Sequence, residues 1–244
     1  MDYELRTGER LDDLQYRGLR LLQRPDLYCF TSDAVLLANI AQVDKGSLAA
    51  DFGSGSGIIS VLVAFKRKCK VVAVEIQPVM AELTRRNAEL NGLSDDIEVK
   101  CIDIADAPKI LGKCRFDSVI CNPPYFRLGS GSMRLAPEVA ISRHESTCDL
   151  DGIIISAAAV LKPKGKLYMI HKTERMAEVI ASASAAGLEP KSITLIYPKA
   201  DKEPDTFVIC CVKGGKAGLK LSSLIVYDEG GNMTEQAEKL YGKE

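Results

Sequence analysis

Asn122-Pro123-Pro124-Tyr125-Phe126 follows directly on the apolar run Phe116 to Cys121, and it holds the residue types in this chain best suited to chemistry. The Asn122 side chain both accepts and donates hydrogen bonds. Two prolines in succession remove two backbone donors and hold the chain extended, so the turn presents acceptors with no competing N–H. Tyr125 and Phe126 offer flat faces on which a planar group can stack. An amine conjugated to a ring, or an amide nitrogen, is a poor nucleophile because its lone pair is delocalised. Acceptors at Asn122 Oδ1 and the Pro123 carbonyl can hold both amine hydrogens and let the nitrogen pyramidalise as it attacks. By analogy with oxyanion holes, such prearranged dipoles are worth roughly 2–4 kcal/mol per key group. Catalysis is therefore expected from Asn122, Pro123, Pro124 and Tyr125. Cys121 falls on the opposite side of an extended strand from Asn122 and is not assigned as a nucleophile.

A second group of residues lies upstream. Asp51-x-Gly53-x-Gly55-x-Gly57 ends a short apolar run and precedes the apolar stretch Ile58 to Phe65. Alternating glycines permit a tight turn and close approach of a ligand to the backbone. The spacing is neither the dinucleotide fingerprint nor a P-loop, since no Gly-Lys-Ser/Thr follows. Asp51 would repel a pyrophosphate and attract an ammonium or sulfonium, which points to S-adenosylmethionine. Glu75 stands twenty residues after Gly55 at the end of Val71 to Glu75, where an acid takes ribose hydroxyls. Asp103, after Ile97 to Ile102, can accept from an adenine amine. Ile76 and Ile104 adjoin these acids, and Thr31 and Asp33 are placed at the edge of the same pocket. No C-x-x-C pair occurs and there are two histidines, so no metal site is expected. His144 is not assigned as a base, and His171 is read as structural.

These residues need strands that end beside one another. The spacing predicts a helix over 10–22, a helix over 34–41 capped by Ser32 or Asp33, and then strand–helix alternation through the four strands just named. Leu150 to Leu161 reads as a helix, Lys166 to His171 as a fifth strand, and residues 176–187 as a helix. Ser192 to Tyr197 and Thr206 to Val212 alternate as an antiparallel pair. Function at successive strand ends is the mark of a doubly wound parallel sheet. Ser223 to Tyr227 and the polar tail read as peripheral.

Composition sets outer limits. The chain has 244 residues, is 46% hydrophobic and carries a net charge of −1, so nucleic-acid contact has to come from local patches. Eight cysteines without a secretory signal suggest the reducing cytoplasm, and no apolar run is long enough to span a bilayer.

Asp51-x-Gly-x-Gly-x-Gly, Glu75, Asp103 and Asn122-Pro-Pro-Tyr together resemble a class I S-adenosylmethionine-dependent methyltransferase of the amino-group type. Tyr28 to Leu37, Asp51 to Ile59, Val74 to Gln77, Cys121 to Phe126, Ala140 to Glu145 and Tyr197-Pro198-Lys199 are more specifically similar to the bacterial family that methylates the N6 amine of an adenine beside the anticodon of valine tRNA. That resemblance covers roughly residues 11–227. It implies an α/β, Rossmann-like, doubly wound sheet of seven mostly parallel strands, the last one reversed. A single methyltransferase domain over 1–244 is expected, with a cap at 1–45, a catalytic core at 46–213 and a peripheral strand and tail at 214–244. It further implies that Asp51 and Gly53, Gly55 and Gly57 flank the methionine part of the cofactor, that Glu75 takes the ribose and Asp103 the adenine, and that Asn122 to Tyr125 hold the target amine.

The expected partner is tRNA at its anticodon region, with no membrane and no metal, as a monomer or weak dimer. Phe126, Arg127, Arg134 and Arg143 are assigned to the substrate, the arginines as phosphate contacts in a Gly- and Ser-rich loop at 127–147. Lys66, Arg67, Lys68, Lys162, Lys164, Lys199 and Lys202 carry less weight as phosphate contacts, because such runs are more often solvated faces. Two rivals remain open. A glutamine amide of a protein suits the same acceptors, although no separate N-terminal helical domain is present to grip a protein. A non-catalytic cofactor-binding module is disfavoured by the intact Asn122-Pro-Pro-Tyr.

Overall fold

The computed structural model describes residues 4–124 and 149–241. An N-terminal hairpin, β1 (Arg10–Asp13) and β2 (Arg20–Gln23), precedes α1 (Ser32–Ile40). Then come β3 (Leu48–Phe52), α2 (Ile58–Arg67), β4 (Lys70–Glu75), α3 (Pro78–Leu90) and β5 (Ile97–Cys101). A 3-10 turn leads to the short α4 (Ala107–Ile110) and β6 (Phe116–Cys121). After residue 149 follow α5 (Leu150–Val160), β7 (Leu161–Lys172), α6 (Met176–Ala185), β8 (Leu188–Lys199), β9 (Thr206–Lys213), β10 (Lys220–Tyr227) and α7 (Glu235–Tyr241).

The main sheet has the order β10-β8-β9-β7-β6-β3-β4-β5. From β7 to β5 all neighbours are parallel, and β9 runs antiparallel to both β7 and β8. Within 46–213 this is the expected arrangement with its last strand reversed. The segment read as peripheral is an eighth strand: β10 pairs in parallel with β8 from Lys220↔Ser192 to Tyr227↔Lys199. α7 then packs back against α1 and β10, with Ala237 fully buried.

The inner strands are largely apolar because helices cover both faces. Alternation divides them cleanly. Ala49, Val71, Ala73 and Ile120 join α1 and α2 on one face. Ala50, Phe52, Val72, Val74 and Val119 join α5 on the other. Asp51 lies between Ala50 and Phe52 and so points to the α2 side, where Ser60 meets it.

The predicted helix over 10–22 is instead the β1–β2 hairpin. Its turn requires left-handed backbone at Gln15, Arg17 and Gly18 (φ 51°, 47° and 77°), which a helix does not allow. Leu11 and Leu22 pack on Met80 and Leu83 of α3, while Leu21 enters the main core. Asn87 on α3 and Asn91 at its C-cap, one turn apart, complete the edge of β2. Asn87 Oδ1 accepts from Leu22 N (2.6 Å) and its Nδ2 donates to Leu22 O (3.0 Å). Asn91 does the same for Arg20 N (3.0 Å) and O (2.8 Å). A helix thereby supplies the hydrogen bonds of a missing strand. The cap of α1 is also shifted by one residue: Thr31 is the N-cap, and Ser32 and Asp33 lie in the first turn.

Candidate active site

The chain runs β3, β4, β5 towards one edge and then returns to place β6 on the other side of β3. Phe52 pairs with Cys121 and with Val74 at the strand ends. Gly53 and Asn122 therefore leave the sheet side by side, at the point where strand order reverses and where ligands bind in open α/β sheets.

A cavity of about 200 Å³ opens there. Its walls include Gly53, Ser54 and Gly55 of the glycine loop, Glu75, Ile76 and Gln77 after β4, Asp103 and Ile104 after β5, and Asn122, Pro123 and Pro124 after β6. Sequence reasoning anticipated most of these. It did not anticipate Ser54, Gln77, Met80 or the aromatics Tyr28 and Phe30. The aromatic pair directly precedes Thr31, and that adjacency was the available signal. Met80 is carried in from α3 and left none.

Thr31, Asp33, Asp51 and Gly57 were expected at the pocket but are not among the wall residues. Thr31 caps α1, so the chain presents Tyr28, Phe30 and Ala34 instead. Gly57 caps α2 beneath Thr84. Tyr125, Phe126, Arg127, Arg134, Arg143 and His144 lie outside the described residues. His171 is fully buried, its Nδ1 accepts from Lys172 N (2.8 Å), and burial holds its pKa down at about 4, which leaves a neutral structural imidazole.

The glycine loop is fastened from three sides. Gly53 N and Ser54 N both donate to Val74 O (2.9 and 3.0 Å). Glu75 Oε2 accepts from Gly55 N (2.8 Å) and Oε1 from Gln77 N (2.9 Å). Thr84 Oγ1 donates to Gly55 O (2.7 Å), and Asn87 Nδ2 donates to Ser56 O (2.8 Å). Gln23, 1% exposed, accepts from Phe30 N (3.1 Å) and so sets the aromatic wall. Asp103 Oδ1 accepts from Ala105 N (2.9 Å), which caps the 3-10 turn and holds the carboxylate at the rim.

The donor set can be tested against S-adenosylmethionine. Asp51 is completely buried; its Oδ2 is met by Ser60 Oγ at 2.7 Å, while Oδ1 has no partner among the described residues. Ser54 Oγ, in the wall, is likewise buried without a partner. A cationic ligand with amine and carboxylate groups suits both, and Glu75 and Asp103 present acceptors to hydroxyls and an amine. The residues fit the cofactor.

Asp51 yields a prediction. Burial lifts its pKa to about 7 against the pull of Ser60, and the charge of Glu75 adds to the rise. Burial raises Glu75 as well. A folded-state pKa above the unfolded value of 3.8 gives stability that is full at low pH and is lost as pH rises through about 7. The ligand-free protein should therefore melt at a higher temperature at pH 5.5 than at pH 8. Asp51→Asn should shrink that difference and weaken S-adenosylmethionine binding. Equal pH slopes for the two proteins in a thermal melt would refute the assignment.

Known proteins share this fold. Residues 31–185 match the methyltransferase small domain family. A tRNA1(Val) (adenine(37)-N6)-methyltransferase of Porphyromonas gingivalis is 32% identical over 182 residues, which cover 71% of this chain and 70% of that relative. Among solved structures, a predicted O-methyltransferase from Agrobacterium tumefaciens superposes with a TM-score of 0.71 at 28% identity, covering 86% of this chain and 95% of that one. A geranyl diphosphate methyltransferase in complex with SAM matches with a TM-score of 0.52 at 15% identity, covering 75% of this chain and 84% of that one, a likeness of fold alone.

Proposed function

This chain belongs to the methyltransferase small domain family, and from that premise we propose that it methylates the N6 amine of an adenine in tRNA, next to the anticodon of tRNA(Val), with S-adenosylmethionine as donor. The observation that carries the reading is the juxtaposition of Asn122-Pro123-Pro124 with the glycine loop across the β3–β6 switch point. Bound S-adenosylmethionine supplies an electrophilic methyl group on a sulfonium. Ser54, Glu75 and Asp103 would hold it from the wall, with Asp51 behind the loop.

Asn122 Oδ1 and the Pro123 carbonyl accept the two hydrogens of the adenine amine. That draws the lone pair out of conjugation and aims it at the donor side of the cavity. The base would leave the anticodon-loop stack and lie against an aromatic face. Tyr125 and Phe126 are assigned to that face, and Arg127, Arg134 and Arg143 to the neighbouring phosphates. A hydroxyl acceptor, as in an O-methyltransferase, offers one hydrogen to two acceptors and uses this arrangement less well. A glutamine amide uses it equally, so the acceptor has to be tested directly.

Mass spectrometry of tRNA nucleosides from cells with and without the gene should show N6-methyladenosine lost from one tRNA species. Tritiated methyl recovered on protein, with tRNA unlabelled, would transfer the assignment to the glutamine reading. Asp103→Ala should weaken cofactor binding roughly ten-fold, the loss of one hydrogen bond to a charged group, while kcat at saturating cofactor changes little. Calorimetry returning the wild-type affinity would remove Asp103 from the cofactor site.

A further inference from the structure

The cationic side chains weighed as phosphate contacts separate by what neutralises them. Lys162 lies 2.7 Å from Asp117, and Lys202 lies 3.5 Å from Asp201. Lys164 donates to the Gly214 carbonyl (2.6 Å). Lys66, Arg67 and Lys68 are different. They stand in a row at the end of α2 and meet Arg17 from the turn between β1 and β2. Among the described residues no carboxylate stands within ion-pair distance of these four, and the charges that act on Lys66 are those of Arg67 and Arg17.

Two aromatic rings and one asparagine gather these cations. The Lys66 ammonium sits 3.8 Å from the centre of the Tyr16 ring, and the Arg17 guanidinium 5.8 Å from it. Lys68 lies 4.5 Å from the centre of Phe65. Lys66 also donates to Asn39 Oδ1, and Arg67 Nη2 donates to Asn39 O (3.0 Å). Two buried N–H groups in the cluster find no acceptor among the described residues: Asn39 Nδ2, on a residue 7% exposed, and Arg67 Nε. Burial first, and then the two arginines, bring the Lys66 ammonium down to about 8. Those two N–H groups are closed off from solvent, but the charges around them, with Arg17 and Lys68 exposed, are all positive. The chemical complement is an oxyanion.

We propose that the C-terminal end of α2, with Arg17 and Asn39, is a phosphate-binding site, and that it takes a backbone phosphate of the RNA whose base enters the cavity. The second half rests on the tRNA reading. Ile58 lines the cavity, and Lys66 comes eight residues later on the same helix. At 1.5 Å per residue that is about 12 Å along the axis. A duplex strand carries a phosphate every ~3.4 Å, so phosphates a few nucleotides from the target base fall in range. A free phosphate ion offers the same chemistry.

The test uses the full chain with Arg17→Glu and Lys68→Glu combined. Both side chains are exposed, and both positions have left-handed backbone in the native fold (φ 47° and 53°), which glutamate tolerates no worse than the residues it replaces. In filter binding with bulk unmodified tRNA at low salt, affinity should fall at least about ten-fold and the slope of log K against log salt should flatten by about 1–2. Melting temperature and S-adenosylmethionine affinity should remain those of the wild type. Lys66→Gln should act in the same direction. If tRNA affinity is unchanged but inorganic phosphate raises the melting temperature of the wild type and not of the double variant, the phosphate site stands and its ligand is the free ion. If neither response appears, the proposal is overturned. A wild-type protein that fails to methylate tRNA would sink the substrate reading and leave the inorganic phosphate arm readable.

Discussion

Asn122→Ala is expected to lower kcat for methyl transfer by roughly 10²–10³-fold while cofactor affinity changes far less. The reason is the nature of the nucleophile. An adenine amine shares its lone pair with the ring, and only acceptors placed on its hydrogens favour the pyramidal nitrogen that reacts. Asn122, half-buried itself, emerges from β6 beside Gly53 between buried Cys121 and buried Pro123, so water has only partial access to its side chain. The prolines leave no neighbouring N–H to compete for it. Asn122→Asp should retain more activity than alanine, because a carboxylate oxygen still accepts the hydrogen that Asn122 Oδ1 takes, while the Pro123 carbonyl keeps the other. Single-turnover rates with saturating cofactor and tRNA decide the matter. An alanine variant that turns over at the wild-type rate would end the case for this site.

The second large effect is expected at Gly57. Its φ is +84°, and a Cβ built there would lie 2.7 Å from Thr84 Cγ2 and 3.1 Å from Thr84 Oγ1. Left-handed backbone costs an alanine roughly 1–2 kcal/mol, and overpacking adds about 1–3 kcal/mol. For a chain of this size, Gly57→Ala should lower the melting temperature by roughly 5–15 °C. The damage should also reach the cofactor. Thr84 Oγ1 holds Gly55 O, and Gly55 N is held by Glu75, so a displaced Thr84 releases the loop where it meets the ligand. Thr84→Ser removes the clashing methyl and keeps the hydroxyl, so it should restore part of both losses in the Gly57→Ala background. A melt and a calorimetric titration of the four proteins would show whether the clash is the cause. Additive effects with no rescue would mean that it is not.

Where a residue's place at the cavity follows from its position at a strand end, the sequence made it readable. Gly53, Gly55, Glu75, Asp103 and Asn122 sit one after another at the tips of β3, β4, β5 and β6, and parallel pairing brings those tips together. Residues 10–22 misled because leucines at 11, 14, 21 and 22 satisfy helical spacing and hairpin spacing alike, and the left-handed turn at Gln15, Arg17 and Gly18 decided between them. β10 was underrated for a similar reason. Leu221 is 70% exposed, Lys220 to Ser223 are all exposed, and only Leu224 and Val226 are buried, so its apolar signal is that of an edge. Asn39, Asn87 and Asn91 gave no warning, because a single asparagine in a helix carries no pattern. Their importance lies in partners 28, 65 and 71 residues away along the chain. The basic run at 66–68 was discounted as a solvated face, and what sets it apart is the lack of an ion-paired acid among the described residues, which only the fold reveals.

The join between α3 and β2 carries one further consequence. The four hydrogen bonds that Asn87 and Asn91 make to residues 20 and 22 belong to two side chains, and Asn87 also grips Ser56. An event that peels the first two dozen residues away would leave every strand of the large sheet still paired. It would also strip the Asn87 side chain of two of its three hydrogen bonds and loosen its hold on the neighbouring turn. Trimming or fusion at this end of the chain would thus register at the cavity beside the glycine loop, although nothing within the sheet had been touched.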